Sequence, residues 1–286
     1  MKICGLITEY NPFHNGHVHH MKEAREKTGA DYLVVVMSGD FVQRGAPAII
    51  DQYQRTKMAL DGGADLVLQL PAPFSTSSAE IFSKAAVNLL HQLGCVDAIA
   101  FGAERGSAGD NGSVEDLKKI AEVLNSEPYE FKQDLREYIK TGFNYPTARA
   151  MALEDYFEGG IEDLQDLLEK PNNILAIEYL RALDKLRSSM KPYLIKRWKT
   201  DYHSEQLYQD VASATAVRKL LYQGKEIDAI APYVTPMVRD IFDAEYGKST
   251  PVRVNDFSAI LQYTAPDGSP DSDPSPTLSS VPDEVS

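Results

Sequence analysis

Four short apolar runs in the first hundred residues alternate with longer helical stretches, and this alternation most constrains the fold. The runs lie at Lys2–Thr8, Tyr32–Met37, Leu66–Leu70 and Val96–Phe101, with helical patterns near residues 17–28, 51–62 and 78–92 between them. Strand–helix alternation of this kind favours βαβ units and a parallel sheet covered on both faces. The sequence therefore predicts an α/β protein.

The remaining sequence predicts the domain organisation. Residues from about 113 to 187 have a helical pattern and are predicted to form a mostly helical insertion, and Tyr193–Trp198 is predicted to be a fifth strand. This completes a Rossmann-like parallel sheet of about five strands, with helices on both faces, in a domain of residues 1–222. A C-terminal helical part is predicted at 223–264. Residues 265–286 hold five of the 16 prolines and few apolar side chains, so we predict a disordered acidic tail.

Charge and cysteine content exclude several classes of protein. The 286 residues carry a net charge of −13, or −8 without the five acidic residues beyond Thr264. An acidic balance argues against a broad surface that coats nucleic acid. Two cysteines, Cys4 and Cys95, are no disulfide framework. With no signal peptide and no apolar run near the roughly 20 residues of a membrane span, we expect a cytoplasmic protein without a membrane partner. The oligomeric state stays open.

The strongest local signal is TEYNPFHNGH at residues 8–17, which follows the first predicted strand and opens the first predicted helix. In open α/β sheets, ligands bind at this junction, where the helix N-terminus offers N–H groups and partial positive charge to phosphate. Gly16 would let a nucleotide approach the backbone. His14 and His17, three residues apart, could both donate to phosphate oxygens. The plainer alternative is two surface histidines at a helix start. The sequence lacks a P-loop and a G-x-G-x-x-G fingerprint.

A second signal is SATAVR at residues 213–218. Ser213 is a good N-cap for a helix that starts there, and the hydroxyl groups and Arg218 could bind phosphates. An ordinary capped helix with a surface arginine is the alternative for this segment taken alone.

Together the two signals resemble the nucleotidylyltransferase superfamily of the His-x-Gly-His type. Three further segments, Met37–Gly45, Pro171–Tyr179 and Ile195–Arg197, make the chain similar to the tRNA(Met) cytidine acetate ligase family from Met1 to about Tyr222. The resemblance implies an ATP-dependent ligase with two steps. Acetate attacks the α-phosphorus of ATP to give acetyl-adenylate, and the wobble cytidine of elongator tRNA(Met) then takes the acetyl group and becomes N4-acetylcytidine.

The resemblance also implies which residues meet each substrate. His14, His17 and Arg218 would be catalytic. The residues expected to bind ATP are Ile7, Thr8, Glu9, Tyr10, Asn11, Pro12, Phe13, His14, Asn15, Gly16, His17, Val18, His19, His20, Gly102, Asn172, Asn173, Arg197, Ser213 and Thr215. Contacts with tRNA or the second substrate would come from Gln43, Arg44, Lys191, Lys196 and Lys199.

Some of these residues also fit plainer interpretations. Gly102 fits a turn after the fourth strand, and Asn172–Asn173 fits the N-cap of a helix starting near Ile174. Arg181, Lys185 and Arg187, like the basic residues at 191–199, are dense enough to suggest an RNA-facing surface, and a solvated surface is the alternative for both groups. Arg197 and the pair at 43–44 also fit a solvated surface.

ATP is the expected substrate, and Mg²⁺ would enter with it as is usual for phosphate chemistry. No Cys/His cluster has metal-ligand spacing, so no protein-held metal is expected. Members of the family are longer, and the likeness weakens after about Asp240, which leaves tRNA recognition open. Two other functions also stay open: a small-molecule adenylyltransferase of the same superfamily, and a non-catalytic ATP-binding module.

Overall fold

The structure is a computed structural model that describes residues 1–103, 111–162, 164–196 and 212–258. Within these ranges one parallel sheet contains β1 (Ile3–Thr8), β2 (Tyr32–Ser38), β3 (Leu66–Leu70), β4 (Ala98–Ala103) and β5 (Lys191–Lys196). The strand order is β3-β2-β1-β4-β5. The predicted five-stranded α/β architecture is confirmed. The predicted tail at 265–286 lies outside the described residues.

Helices connect the strands. The first four strands are joined by α1 (Asn15–Thr28), α2 (Gln52–Asp61), α3 (Ala72–Ser75) and α4 (Ala79–Gln92). Between β4 and β5 the described residues form α5 (Asn111–Ser126), α6 (Tyr129–Lys140), α7 (Tyr145–Phe157), α8 (Leu164–Glu169) and α9 (Pro171–Lys185). After β5 come α10 (Ala214–Tyr222) and α11 (Pro236–Glu245). Short 3₁₀ helices occupy Gln43–Gly45, Ile227–Ala229, Ala231–Tyr233 and Val254–Phe257. In the part of the chain described, no helix is long and apolar enough to cross a membrane.

Successive side chains of each strand point to opposite faces of the sheet. Helices cover both faces, so the side chains of one strand enter two different cores. On β2, Val34 and Val36 enter a core with residues of α4, α5 and α9. Their neighbours Leu33 and Val35 enter a second core with residues of α1, α2, α10 and α11. The sheet is therefore the middle of three layers, as the near-continuous apolar run of β2 predicts.

The residues after α10 share the second core. Ile230, Val238 and Phe242 are fully buried against it. Farther along, Thr250 Oγ1 and the Val252 amide both donate to the carbonyl oxygen of Ile49, at 2.7 and 2.9 Å. The C-terminal part thus folds back onto the segment between β2 and α2.

The helices between β4 and β5 contain a buried ion cluster. Glu178 on α9 accepts hydrogen bonds from Arg149 on α7 at 3.2 Å and from Arg181 at 2.6 Å. Arg181 also lies 3.5 Å from Glu80 on α4. Arg181 is only 8% exposed, so the prediction that it belongs to a basic RNA-facing surface is wrong. Its charge is neutralised inside the protein.

Candidate active site

The loop from β1 to α1 carries the main candidate functional side chains. β1 ends at Thr8, and His14 is the N-cap of α1. The Gly16 amide donates to His14 Nδ1 at 3.0 Å, and the His14 amide donates to His17 Nδ1 at 3.2 Å. This is a capping box made from two histidines. The segment opens α1 as predicted, with His14 as the N-cap and His17 as the third helical residue.

The capping bonds fix the chemistry of the two imidazole rings. A ring nitrogen that accepts a hydrogen bond carries no hydrogen, so in each neutral ring the hydrogen is on Nε2. The two rings stack with centroids 3.7 Å apart and an interplanar angle of 27°. With both Nδ1 atoms turned into the helix end, both Nε2–H groups lie on the far side of their rings. Two preorganised donors therefore stand at a helix N-terminus, where a phosphate is favoured.

Gly16 is needed for a reason that the sequence did not show. A Cβ atom at this position would lie 2.8 Å from Cε1 and 3.0 Å from Nδ1 of His14. The glycine therefore makes room for the imidazole that caps the helix. The predicted role of Gly16 in letting a nucleotide approach the backbone would be a second reason for glycine here.

Several members of the predicted ATP-binding set face the protein interior. Tyr10 and Phe13 are 2% and 0% exposed, and burial raises the pKa of the Tyr10 phenol. The Phe13 ring packs so closely on Gly62 that a Cβ there would lie 2.2 Å from it. These aromatic rings pack into the protein interior and anchor the loop there. Ile7, Thr8, Asn15 and Val18, with His19 and His20, are half-buried.

Asn11 ties this loop to its neighbours. It is 7% exposed, and its side-chain oxygen accepts from the Ile49 amide at 2.8 Å. Pro12, next to it, is also buried. Asn15 Nδ2 donates to the Pro232 carbonyl at 3.0 Å, so the start of α1 also contacts the C-terminal part.

The segment at 213–218 joins the same site. Ser213 caps α10 by accepting from the Ala216 amide at 3.1 Å. Arg218 donates through Nη1 to the Asn11 carbonyl at 2.6 Å and through Nη2 to Thr215 Oγ1 at 3.2 Å. The structure thus brings Arg218 and Thr215 to the loop of His14, across 207 positions of sequence.

The sheet topology explains why these elements meet. β1 pairs with β2 on one side and β4 on the other, so strand order reverses next to β1. Ligands of open α/β sheets bind at the carboxyl ends of strands at such a switch point. Gly102 lies in β4, opposite Ile195 of β5. The prediction that Gly102 follows the strand is therefore wrong, although it remains near the carboxyl end of β4.

Asn172 and Asn173 lie in the first turn of α9, which begins at Pro171 and has Lys170 as its N-cap. Their interpretation as the N-cap of a helix starting near Ile174 is wrong, because proline at the first position moves the start three residues earlier. Asn173 is 0% exposed. Farther along α9, burial raises the pKa of Tyr179, and the charge of Glu9 adds to the effect.

The loop after β2 contacts the loop after β1. The Gln43 amide donates to Glu9 Oε1 at 2.9 Å, so the contact made by Gln43 here is a main-chain bond. Arg44 lies in the 3₁₀ helix Gln43–Gly45.

Among the predicted basic residues that the structure describes, Lys191 and Lys196 lie at opposite ends of one strand. Lys191 is exposed and starts β5 at the amino end of the sheet, where its amide donates to the Asp97 carbonyl. Lys196 ends the same strand, about 16 Å away at 3.3 Å per residue. Lys191 is therefore remote from the carboxyl edge that holds His14. Arg197 and Lys199 lie outside the described residues.

Arg55 on α2 is the residue that sequence reasoning missed. It is 0% exposed, and its guanidinium donates to carbonyl oxygens at the ends of β1 and β2 and at Ile50. An arginine in an amphipathic helix gives no sequence signal of burial. Across the ranges that the structure describes, no group of three or more His, Cys, Asp or Glu side chains could hold a metal ion.

Comparison with known proteins gives the family. A family model described as HIGH Nucleotidyl Transferase matches residues 1–272. A protein of Thermoanaerobacter sp. (strain X514), named tRNA(Met) cytidine acetate ligase, is 43% identical over 264 residues, which are 92% of this chain and 64% of the relative. A protein of Clostridium novyi (strain NT) with the same name is 44% identical over 230 residues, 80% of this chain and 56% of the relative.

A protein of solved structure is also similar to this chain. Thermotoga maritima TmcAL bound with alpha-thio ATP matches with a TM-score of 0.81 and 34% identity, over 92% of this chain and 60% of that chain. The resemblance seen in the sequence is confirmed by these matches. The chain spans 64% or less of the length of these three proteins.

Proposed function

The chain belongs to the HIGH nucleotidyl transferase family, and we propose that it activates acetate with ATP and transfers the acetyl group to a cytidine of tRNA. The proposed product is N4-acetylcytidine at the wobble position of elongator tRNA(Met). Relatives named tRNA(Met) cytidine acetate ligase support this assignment, as does the likeness to a protein bound with alpha-thio ATP.

One observation carries the proposal. The 2.6 Å bond from Arg218 to the Asn11 carbonyl joins the second phosphate-binding segment to the histidine loop. A cation and two imidazole donors then stand around one helix N-terminus. Charge on the α-phosphate and on departing pyrophosphate increases in the transition state, and preorganised donors placed there stabilise it. The arrangement fits cleavage of ATP between its α and β phosphates.

In the first step, a carboxylate oxygen of acetate attacks the α-phosphorus of ATP. The bond from the α-phosphorus to the bridging oxygen breaks, and pyrophosphate leaves with that oxygen. The products are acetyl-adenylate and pyrophosphate. His14 and His17 donate to phosphate oxygens through Nε2, and Arg218 offsets the charge of the leaving group. Mg²⁺ accompanies ATP in this proposal and supplies further charge neutralisation.

In the second step, the exocyclic amine of cytidine attacks the acetyl carbonyl carbon. The bond from that carbon to the adenylate oxygen breaks, AMP leaves, and the amine loses one proton. The step needs a tRNA near the carboxyl edge of the sheet, and we place the reaction in the cytoplasm, where tRNA is available.

The test measures the two steps separately. We expect acetate-dependent exchange of labelled pyrophosphate into ATP, and no exchange when acetate is left out. Incubation with ATP, labelled acetate and tRNA, followed by nucleoside analysis, should give N4-acetylcytidine. A transcript whose wobble cytidine is replaced by uridine is the control. A rate of pyrophosphate exchange that does not depend on acetate would contradict the first step. Label on the control transcript would contradict the second.

Charge predicts how the second step depends on salt. The sequence up to Thr264 has a net charge of −8, and RNA binding rests largely on phosphate contacts that salt weakens steeply. We expect acetylation of tRNA to fall much faster than pyrophosphate exchange as ionic strength rises. Equal salt dependence of both reactions would contradict this expectation.

A further inference from the structure

Arg55 lies at a junction that the proposed mechanism does not use. Its side chain is completely buried. Nη1 donates to the Glu9 carbonyl at 2.6 Å and to the Ser38 carbonyl at 3.1 Å, and Nη2 donates to the Gly39 carbonyl. Nε donates to the Ile50 carbonyl at 3.1 Å. One guanidinium thus binds the main chain directly after β1, directly after β2, and just before α2.

The chemistry of these partners suits a cation. Parallel strands end at the same edge of the sheet, and the carbonyl oxygens there would be costly to bury without donors. A guanidinium provides five N–H donors in a rigid plane, so it fixes the relative positions of the groups that it binds. Burial lowers the pKa of Arg55 to about 10, while Asp40, Glu9 and Asp51 oppose the shift. The side chain therefore stays charged at neutral pH.

The two loops held by Arg55 also contact each other. The Asn11 side chain accepts from the Ile49 amide at 2.8 Å, and Glu9 Oε1 accepts from the Gln43 amide at 2.9 Å. Both bonds run from the loop that ends at His14 to the loop between β2 and α2. Arg55 lies beneath both loops and holds the main-chain atoms where each one starts. A shift at Arg55 would therefore move the two loops relative to each other.

We propose that Arg55 is a positioning residue for adenylyl transfer, which sets the placement of the histidine loop against the loop after β2. The inference rests on the proposed function. It deepens that function by assigning a residue that touches no substrate. Transfer requires the attacking oxygen and the phosphorus to be aligned at about 3–3.5 Å, and a displacement of about 1 Å can cost roughly 10² in rate. Affinity for ATP is spread over many contacts, so it should change less.

The chain offers a matched control in Arg25 on α1. Arg25 also donates to main-chain carbonyls before two strands, those of Asp31 at 2.6 Å and Gly63 at 2.9 Å. These bonds lie at the amino end of the sheet, because Asp31 precedes β2 and Gly63 precedes β3. Arg25 thus also ties strand ends together through carbonyl groups at the edge away from His14, although it is partly exposed and pairs with the Asp65 carboxylate as well.

The experiment compares R55K, R55M and R25K in the full chain by acetate-dependent pyrophosphate exchange. Rates are divided by the folded fraction, which circular dichroism measures at the assay temperature. For R55K we expect kcat to fall by about 10- to 100-fold, with a KM for ATP within about threefold of wild type. R55M should fall further, and R25K should keep the wild-type kcat per folded molecule. Lysine keeps the charge but loses the planar fork, so R55K tests geometry rather than charge.

A spectroscopic measurement separates positioning from general loss of stability. Imidazole ¹⁵N spectra of the wild type should show His14 and His17 in the Nε2–H form that their capping bonds impose. Both signals should change in R55K and stay unchanged in R25K.

Three outcomes would overturn the inference. They are an unchanged kcat for R55K, an equal loss in R25K, or an R55K protein less than half folded at 15 °C, since Arg55 would then serve the fold as a whole. Absence of acetate-dependent exchange in the wild type would instead contradict the proposed function. An inactive wild type with R55K-specific changes in the histidine spectra would still support the role of Arg55.

Discussion

The helices between β4 and β5 and the carboxyl edge of the sheet both depend on arginines, but they use them in different ways. Among the helices, Arg149 and Arg181 bind the carboxylate of Glu178. At the sheet edge, Arg55 and Arg218 bind main-chain carbonyls. The first arrangement neutralises charge inside a packed region. The second places guanidinium hydrogen bonds on neutral acceptors beside the helix end where phosphate is expected, with the carboxylates of Asp40, Glu9 and Asp51 also near Arg55.

The difference teaches what each region is built for. A buried carboxylate with two guanidinium partners is satisfied internally, so it holds helices together and has no further chemistry to offer. A carbonyl oxygen takes a hydrogen bond without cancelling the charge of the donor. Arginines that bind carbonyls can therefore fix loop geometry and still contribute positive potential to a ligand site. The ion cluster should govern stability, and the carbonyl-bound arginines should govern activity.

Removal of the Glu178 carboxylate should give the largest effect, and it should be an effect on stability. Glu178→Ala leaves Arg149 and Arg181 without their shared partner. We expect the free energy of unfolding to fall by about 3–5 kcal/mol, measured by chemical denaturation. Exchange activity per folded molecule should stay within about twofold of wild type. The exposed pair of Lys22 and Glu26, 3.9 Å apart, provides the control, since Lys22→Ala should cost at most about 1 kcal/mol. A Glu178 variant that stays stable but loses activity would break the comparison.

Loss of the His17 imidazole should give a comparable effect on activity. His17→Ala removes one preorganised donor to transition-state charge, which typically costs about 10²–10³ in rate. Pyrophosphate exchange measures the loss. His17→Gln sharpens the test because glutamine at the third helical position can restore the bond to the N-cap amide. That variant should melt close to wild type and still exchange slowly. Near-wild-type exchange in either variant would remove His17 from the mechanism.

Truncation of Arg218 should give the smallest of the three effects. A hydrogen bond to a charged group is usually worth about 1.5–3 kcal/mol. Arg218→Ala should therefore weaken ATP binding or turnover at least about tenfold, as calorimetry and exchange kinetics would show. Thr215→Val is a useful partner variant, because it removes the hydroxyl that Arg218 contacts at 3.2 Å and should cost less. Unchanged ATP affinity together with unchanged turnover in Arg218→Ala would exclude the role.

Much of the fold could be predicted because it depends on local signals. The strand at Leu66–Leu70 has the predicted bounds, and Ser213 caps its helix as its side chain suggested. The fifth strand begins two residues earlier than predicted, at Lys191. The alternation of apolar residues and the capping of helices both depend on residues a few positions apart, and such residues can be read directly from the sequence. The one-turn helix α3 was missed because four residues carry no periodicity.

The candidate site likewise has a part that local sequence signals predict and a part that they do not. His14, Gly16 and His17 form one local unit, and their roles as N-cap, spacer and third helical residue follow from positions within one turn. The residues predicted to contact tRNA could not be placed from sequence, because Lys191 and Lys196 lie at opposite ends of one strand that runs from the amino edge to the carboxyl edge of the sheet. Proximity along an extended strand is not proximity in space.

By itself, the sequence determined the parallel α/β class and predicted two candidate phosphate-binding segments, one of them at the start of the first helix. Only the tertiary structure decided that Arg218 meets Asn11, that Arg181 is buried against Glu178, and that Arg55 binds the ends of two strands. The physical reason is the range of the interactions. Helix caps and strand alternation are settled within a few residues, whereas an arginine side chain takes its partners from whatever segments the folded chain brings within reach.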